Sequence, residues 1–214
     1  MHLPPFASLA ARPDPPLDEL ALALAAQFGP CDHGGALAAL DELGGEVVRA
    51  GGDGLAALAG VLGRRHGFAG ERERYDDPAN SMLDVVLQRR AGLPILLSVV
   101  YVEVARRAGL ALAGVGLRGH FVVGRFDPAP PVLLDPFAGG ALFDVTRIDG
   151  GDLRPWGPHE TALRMLNNLV GSYTRRHDLG RAIRAAEMRL ELPVAGAPAE
   201  ALGAELRALR ARLN

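Results

Sequence analysis

Two side chains suited to acid–base chemistry, His120 and Asp135, stand in neighbouring segments with the composition of β-strands. His120 opens the apolar run HFVVGRF, and Asp135 ends the run PVLLD fifteen residues farther on. Antiparallel neighbours bring such side chains together. A carboxylate that accepts the imidazole Nδ1 proton orients the ring and leaves Nε2 facing a substrate. A structural hydrogen-bonded pair at a sheet edge fits the same spacing, so both interpretations stay open.

The elements that would position this pair change in character along the chain. Residues 1–16 are rich in proline and predict an extended arm, whereas residues 17–67 show the apolar spacing of three helices. A buried helix is predicted from Pro94 to about Ala108, because proline suits the first helical turn and a glycine follows the last. From Leu110 onward, short apolar runs separated by Gly, Pro and Asp predict an antiparallel meander.

This order of elements predicts an α+β fold rather than alternating βαβ units. Three amphipathic helices are expected after residue 158, from the spacing of their apolar residues. We therefore expect an N-terminal helical region at 1–70 packed on the core, a core at 71–150 and a C-terminal helical extension at 151–214.

Composition excludes several classes of function. All 23 basic residues are arginines, so mechanisms that need a lysine amine, such as those of phosphate-loop NTPases, pyridoxal enzymes and Schiff-base aldolases, are excluded. The net charge of −2 provides no broad positive field, and nucleic acid is not an expected partner.

A single cysteine, Cys31, forms no internal disulfide, and no secretory signal or membrane anchor is visible. The expected location is therefore the cytoplasm. No paired-ligand spacing of Cys and His indicates a metal site, and no cofactor is expected.

The residues around the predicted central helix also carry a family resemblance. The segment from Tyr75 to Val123 and the segment LLDPFAGGALFDV resemble the SirB-type branch of the transglutaminase-like superfamily. The resemblance rests on six motifs in family order: Asn80–Ser81, Arg89–Arg90, Gly92–Leu93–Pro94, Gly114–Val115–Gly116, Gly119–His120–Phe121 and Asp135–Pro136–Phe137. It implies a bacterial protein with a papain-like core of one central helix and a small antiparallel sheet.

In that superfamily a cysteine at the start of the central helix is the nucleophile, so the resemblance implies His120 as base and Asp135 as its orienter. The cysteine is missing here, because its position falls at Pro94 or Ile95. Proline also lacks the N–H that would stabilise an oxyanion. SirB-type members often have a serine near this point, where this chain has Leu96.

Other polar residues could line the same site. Ser98 shares the helix face of Pro94 one turn deeper, and Ser81 could approach from the preceding turn, where it or Asn80 could instead cap the next helix. Arg89 and Arg90 could bind a carboxylate, or brace a nearby aspartate such as Asp77 or Asp84.

Two functions follow as hypotheses. The first is a non-catalytic protein that acts in protein–protein interaction or regulation, with the partner bound through the cleft or the C-terminal helices. The second is a hydrolase or acyltransferase that uses the His120–Asp135 pair with a relocated nucleophile, Ser98 or Ser81, or with activated water. The sequence leaves the oligomeric state open.

Overall fold

A computed structural model describes residues 3–147 and 153–213. Its α-helices are α1 Phe6–Ala10, α2 Leu17–Ala25, α3 His33–Ala50, α4 Gly54–Ala59, α5 Leu83–Arg89, α6 Pro94–Arg107, α7 Pro158–Arg175, α8 Leu179–Glu191 and α9 Ala197–Ala211. Its strands are β1 Ala69–Gly70, β2 Ala91–Gly92, β3 Ala113–Leu117, β4 His120–Arg125, β5 Val132–Asp135 and β6 Ala141–Phe143. The α+β class predicted from the sequence is confirmed.

Helix α6 is the centre of the structure. Pro94 occupies its first turn, and Gly109 follows its last turn with a φ of 73°, a left-handed conformation that favours glycine. Eleven of its residues are buried, because α3, the sheet and α7 cover it from several sides. The helix predicted from the apolar run is therefore confirmed.

The sheet is an antiparallel meander in the order β3, β4, β5, β6. The first of its strands begins at Ala113 rather than at Leu110, where the apolar run starts. Strands β1 and β2 form a separate short parallel ribbon that leads into α6. The ribbon places Gly70 beside Gly92, just before the helix begins.

The N-terminal segment differs from the prediction of an extended arm. Residues Phe6–Ala10 form α1, and the side chains of Phe6 and Leu9 are 1% and 0% exposed. Burial of these two apolar side chains offsets the weak helical tendency of a short proline-flanked segment. The third predicted N-terminal helix is also interrupted, since α4 passes into a π-helix at Gly60–Arg65.

The C-terminal helices α7, α8 and α9 pack in series, each against the next. One hydrophobic core joins residues from the N-terminal helices, from α6 and the sheet, and from these three helices. The predicted boundary at 150–151 lies outside the described residues. In the described part of the chain, none of the helices is both long enough and apolar enough to span a bilayer.

Candidate functional site

His120 and Asp135 lie together at one end of the sheet. The His120 Nε2 atom is 3.0 Å from Asp135 Oδ2. The other carboxylate oxygen, Oδ1, accepts hydrogen bonds from the backbone N–H groups of Phe137 and Ala138 at 2.9 and 3.4 Å. The carboxylate therefore both holds the imidazole and caps the short helical turn that follows β5.

The ring nitrogen bound by the carboxylate is Nε2, and the prediction that it would be Nδ1 is wrong. The β4–β5 register pairs Val123 with Leu134, which sets Asp135 opposite Val122 and two residues along from His120. Diagonal neighbours of this kind lie about 7–8 Å apart, so the far nitrogen of the ring makes the contact. Nδ1 has no hydrogen-bond partner in the part of the chain that the structure describes.

Aromatic rings pack around the imidazole. The Phe143 ring stacks on His120 with centroids 6.1 Å apart, and Phe137 meets it edge-on at 6.1 Å. The His120 side chain is 25% exposed and that of Asp135 is 16% exposed. The pair is therefore partly shielded but still reached by solvent.

The alternation of side chains along each strand determines on which face of the sheet His120 and Asp135 lie. Phe121 and Val123 belong to the main core with α6, whereas Val122 and Leu133 form a second, smaller cluster. His120 and Asp135 alternate with Phe121 and Leu134, and so lie on the side of this second cluster. Among the described residues, no hydrogen bond joins either side chain of the pair to α6.

The start of α6, where the resemblance places the nucleophile, is apolar and buried. Leu93, Ile95 and Leu96 are 6%, 1% and 0% exposed, and Pro94 is buried with them. No side chain caps this helix. The first turn therefore has neither a nucleophilic side chain nor access to solvent.

The two candidate serines are both enclosed. Ser98 is 0% exposed, and its hydroxyl has no hydrogen-bond partner among the residues described. Ser81 is 1% exposed and lines a small cavity of about 130 Å³ together with Leu93 and Asn168. Neither serine is hydrogen-bonded to His120 in the described structure.

The turn before α5 has a different cap from the predicted one. Asn80 and Ser81 end a short 3₁₀ helix, Pro78–Ser81, and the capping residue is Asp77, whose Oδ1 accepts from the N–H of Ala79 at 3.0 Å. The Asn80 side chain instead donates to the Arg74 carbonyl at 2.6 Å. Asn80 therefore holds the preceding loop, and α5 itself has no side-chain cap.

The two arginines before α6 have separate surroundings. Arg89 lies 3.5 Å from Asp77, which agrees with the bracing interpretation. Arg90 adopts a left-handed conformation with a φ of 57° at the end of α5, and its carbonyl accepts from Ala69. The structure therefore gives both residues a structural explanation.

Three residues around the pair, Gly70, Arg72 and Arg164, carried no signal from the sequence that singled them out. The Phe137 ring lies directly over Gly70, where an added Cβ would be 2.3 Å from the ring. The Arg72 guanidinium lies 5.3 Å from the same ring. From α7, Arg164 donates to the carbonyls of Leu117 and His120 at 3.2 and 3.4 Å, which fixes the β3–β4 turn. These contacts join segments that are far apart in the chain.

Cys31 lies away from the pair, where its thiol is 3.7 Å from the Leu22 carbonyl. Burial raises the pKa of the Cys31 thiol to about 12, and the carboxylates of Asp84 and Asp32 act in the same direction. The described residues contain no group of three or more His, Cys, Asp and Glu side chains that could hold a metal ion.

We expect Cys31 in the folded protein to react with iodoacetamide near neutral pH about a thousandfold more slowly than a free cysteine, because the thiolate is the reacting form. Mass spectrometry of the intact protein over time measures this rate. The urea-unfolded chain is the control and should react at the ordinary rate. Equal rates in the two states would contradict the buried, electronegative setting of the thiol.

Comparison with known proteins adds a family assignment to this geometry. A family model described as the transglutaminase-like superfamily matches residues 34–181. A UPF0162 protein of Xylella fastidiosa is 36% identical over 156 residues, which cover 64% of this chain and 55% of that protein. A UPF0162 protein of Pseudomonas aeruginosa is 31% identical over 211 residues, which cover 89% of this chain and 77% of the relative.

A shorter match reaches a eukaryotic protein. F-box only protein 21 of Mus musculus is 35% identical over 95 residues, which cover 44% of this chain and 14% of that protein. The chain thus spans about half the length of the Xylella relative and aligns with a small part of the mouse protein. No solved structure matches the chain.

Proposed function

This chain belongs to the transglutaminase-like superfamily, and from that premise we propose that it is a non-catalytic member that acts by binding another protein. The observation that carries the proposal is the start of α6. Its first turn buries Pro94 and Ile95, the two residues that the family resemblance aligns with the superfamily's cysteine. A chain with this first turn lacks the attacking atom.

The serines do not replace that atom in the described structure. A nucleophilic serine must give its proton to a base within hydrogen-bond reach of about 2.6–3.2 Å. Ser98 and Ser81 are 0% and 1% exposed, and among the described residues the hydrogen-bond partner of the His120 ring is Asp135. The imidazole therefore has a carboxylate to orient it but no hydroxyl to activate.

A structural role explains why the pair is retained. Asp135 joins three groups: the His120 ring and the backbone N–H groups of Phe137 and Ala138. Phe137 in turn packs on Gly70, on the ribbon that leads into α6. Loss of the carboxylate would remove the hydrogen-bond partner of all three donors, which are partly or fully exposed and would turn to water instead.

The pattern of relatives also supports a binding domain. In the mouse relative the matching stretch is 14% of the protein, so related sequence occurs there as one part of a much longer chain. We place the contact surface on this chain's cleft or on its C-terminal helices.

Labelling with activity-based probes tests the proposal. We expect a fluorophosphonate probe for serine nucleophiles to label the protein no more than its His120→Ala variant. Labelled protein is measured by mass spectrometry. Labelling that disappears in the His120→Ala variant would overturn the non-catalytic assignment.

One observation favours a second function, hydrolysis by activated water. His120 is 25% exposed, and its Nδ1 atom is free of hydrogen bonds within the described chain, as a general base acting on water requires. Turnover of activated acyl esters separates the two functions. Hydrolysis that depends on His120 without covalent labelling would favour water activation, whereas equal rates for the protein and His120→Ala would support binding alone.

A further inference from the structure

A groove of about 710 Å³ runs between α7 and α9 and is bounded by Arg189 of α8. Val170, Leu202 and Leu209 contribute apolar surface to it. The charged side chains that line it are Arg175, Arg189, Arg212 and Glu205, so arginines outnumber carboxylates. Arg175 also forms an ion pair with Asp76, which lies outside the groove. Among the described residues, the Arg212 side chain forms no ion pair.

Arg189 is the unusual residue of this groove. Its side chain is only 3% exposed. Nη1 donates to Asn167 Oδ1 at 3.0 Å and lies 2.8 Å from Glu205 Oε2. Nε and Nη2 are buried and have no hydrogen-bond partner in the described part of the protein, and the same is true of the Thr174 hydroxyl.

A guanidinium in this state is incompletely satisfied. Arginine keeps its charge at all physiological pH values, and its planar fork of donors fits a carboxylate through two parallel hydrogen bonds. Glu205 engages only one nitrogen, and its own side chain is 47% exposed at the edge of the groove. The contact between Arg189 and Glu205 is therefore a partial one that a better-placed carboxylate can replace.

We propose that this groove binds an acidic peptide segment, whose carboxylate displaces Glu205 and pairs with the Arg189 fork. The apolar side chains of Val170, Leu202 and Leu209 receive neighbouring apolar residues of the peptide, and Arg212 adds attraction at the rim. This inference rests on the proposed protein-binding function and names the chemistry of the partner.

Peptide titration tests the inference with the whole protein. The probe is a fluorescent octapeptide of alternating leucine and glutamate, capped at both ends, and its matched control has glutamine in place of glutamate. We expect the acidic peptide to bind at least about tenfold more tightly, and its affinity to fall with added salt. A third peptide, with glutamines and a free C-terminal carboxylate, separates side-chain carboxylates from a terminal one as the group recognised.

Two variants connect binding to the groove. Glu205→Gln removes the internal competitor, and we expect it to tighten binding of the acidic peptide by about fivefold to tenfold. Arg189→Gln keeps a side chain that can bond to Asn167 and should abolish the preference for glutamate over glutamine. Because Arg189 is buried, thermal unfolding of the Arg189→Gln variant is measured to show that it folds. If it does not fold, the affinity of the Glu205→Gln variant for the acidic peptide tests the inference.

Two results would overturn the inference: equal affinity for the glutamate and glutamine peptides, or an unchanged affinity in the Glu205→Gln variant. Failure here is distinguishable from failure of the proposed function. A chain that shows no His120-dependent labelling and binds none of these peptides remains a non-catalytic domain with a different partner. His120-dependent labelling removes the non-catalytic assignment whatever the peptides do.

Discussion

Replacing Arg107 with methionine should destabilise the fold by about 3–5 kcal/mol, because it removes the buried cation from two buried carboxylates and leaves them only the solvent-exposed Arg106. Arg107 lies 2.7 Å from Asp18 and 2.8 Å from Glu103, whose side chains are 4% and 3% exposed. Its third ion pair, with Asp41, is with an exposed carboxylate and adds little. Urea denaturation at neutral pH measures the loss.

Arg106 provides the matched control, since it is adjacent and contacts the same two carboxylates at 3.3 and 2.8 Å. Its side chain is 58% exposed, so solvent screens its charge, and Arg106→Met should cost less than about 1 kcal/mol. Equal losses in the two variants would show that burial of the guanidinium does not determine its contribution.

The loss in Arg107→Met should also depend on pH. Burial raises the pKa of Asp18, but the hydrogen bonds and charge of Arg107 outweigh it and hold that pKa below its ordinary value. The pKa of Glu103 is raised by burial and by Asp18, with the two arginines offsetting only part of the effect. Without Arg107 both carboxylates take up protons more readily, so the difference in unfolding free energy should shrink as the pH falls from neutral toward their folded pKa values. A difference independent of pH would contradict this account.

Replacing Gly63 with alanine should destabilise the protein by about 1–3 kcal/mol, because the new methyl group meets rigid backbone. An added Cβ would be 1.9 Å from the Gly139 carbonyl oxygen, in the turn that follows Asp135. The N–H groups of Gly139 and Gly140 donate to the carbonyls of Pro136 and Asp135 at 3.2 and 2.8 Å, so moving the turn aside would break these hydrogen bonds. Thermal unfolding measures the stability, and the NMR signals of the His120 ring report displacement of the turn.

The control for this change is Gly203→Ala, in the interior of α9. There the nearest atom to an added Cβ is the end of the flexible Arg207 side chain, at 3.5 Å. Alanine should stabilise that helix by up to about 1 kcal/mol, through its higher helix propensity. A stabilising effect at Gly63 as well would show that the contact with Gly139 relaxes without cost.

Features governed by short-range chemistry were predictable from the sequence. Pro94 and Gly109 mark the ends of α6, because proline is tolerated in the first turn and glycine accepts the left-handed conformation after the last. The meander followed from short apolar runs between turn residues. The pairing of His120 with Asp135 could also be predicted from the sequence, because the two residues belong to consecutive antiparallel segments.

The family resemblance predicted where the superfamily's cysteine would lie, at Pro94 or Ile95, but the surroundings of the His120–Asp135 pair depended on distant segments. The capping of α5 predicted for Asn80 or Ser81 was wrong, because α5 has no side-chain cap and the Asn80 side chain instead donates to the preceding loop. The short N-terminal helix escaped prediction because burial of Phe6 and Leu9, rather than local propensity, stabilises it.

By itself, the sequence determined that this chain has a histidine and a carboxylate in adjacent strands and no cysteine at the start of its central helix. Only the tertiary structure decided which ring nitrogen the carboxylate holds, because that depends on the register between β4 and β5. The burial of Arg189 beside α7 and α9 was also visible only in the tertiary structure, because burial depends on how helices pack rather than on any one segment. Spacing along a chain sets which residues are neighbours locally, whereas register and packing set which atoms meet.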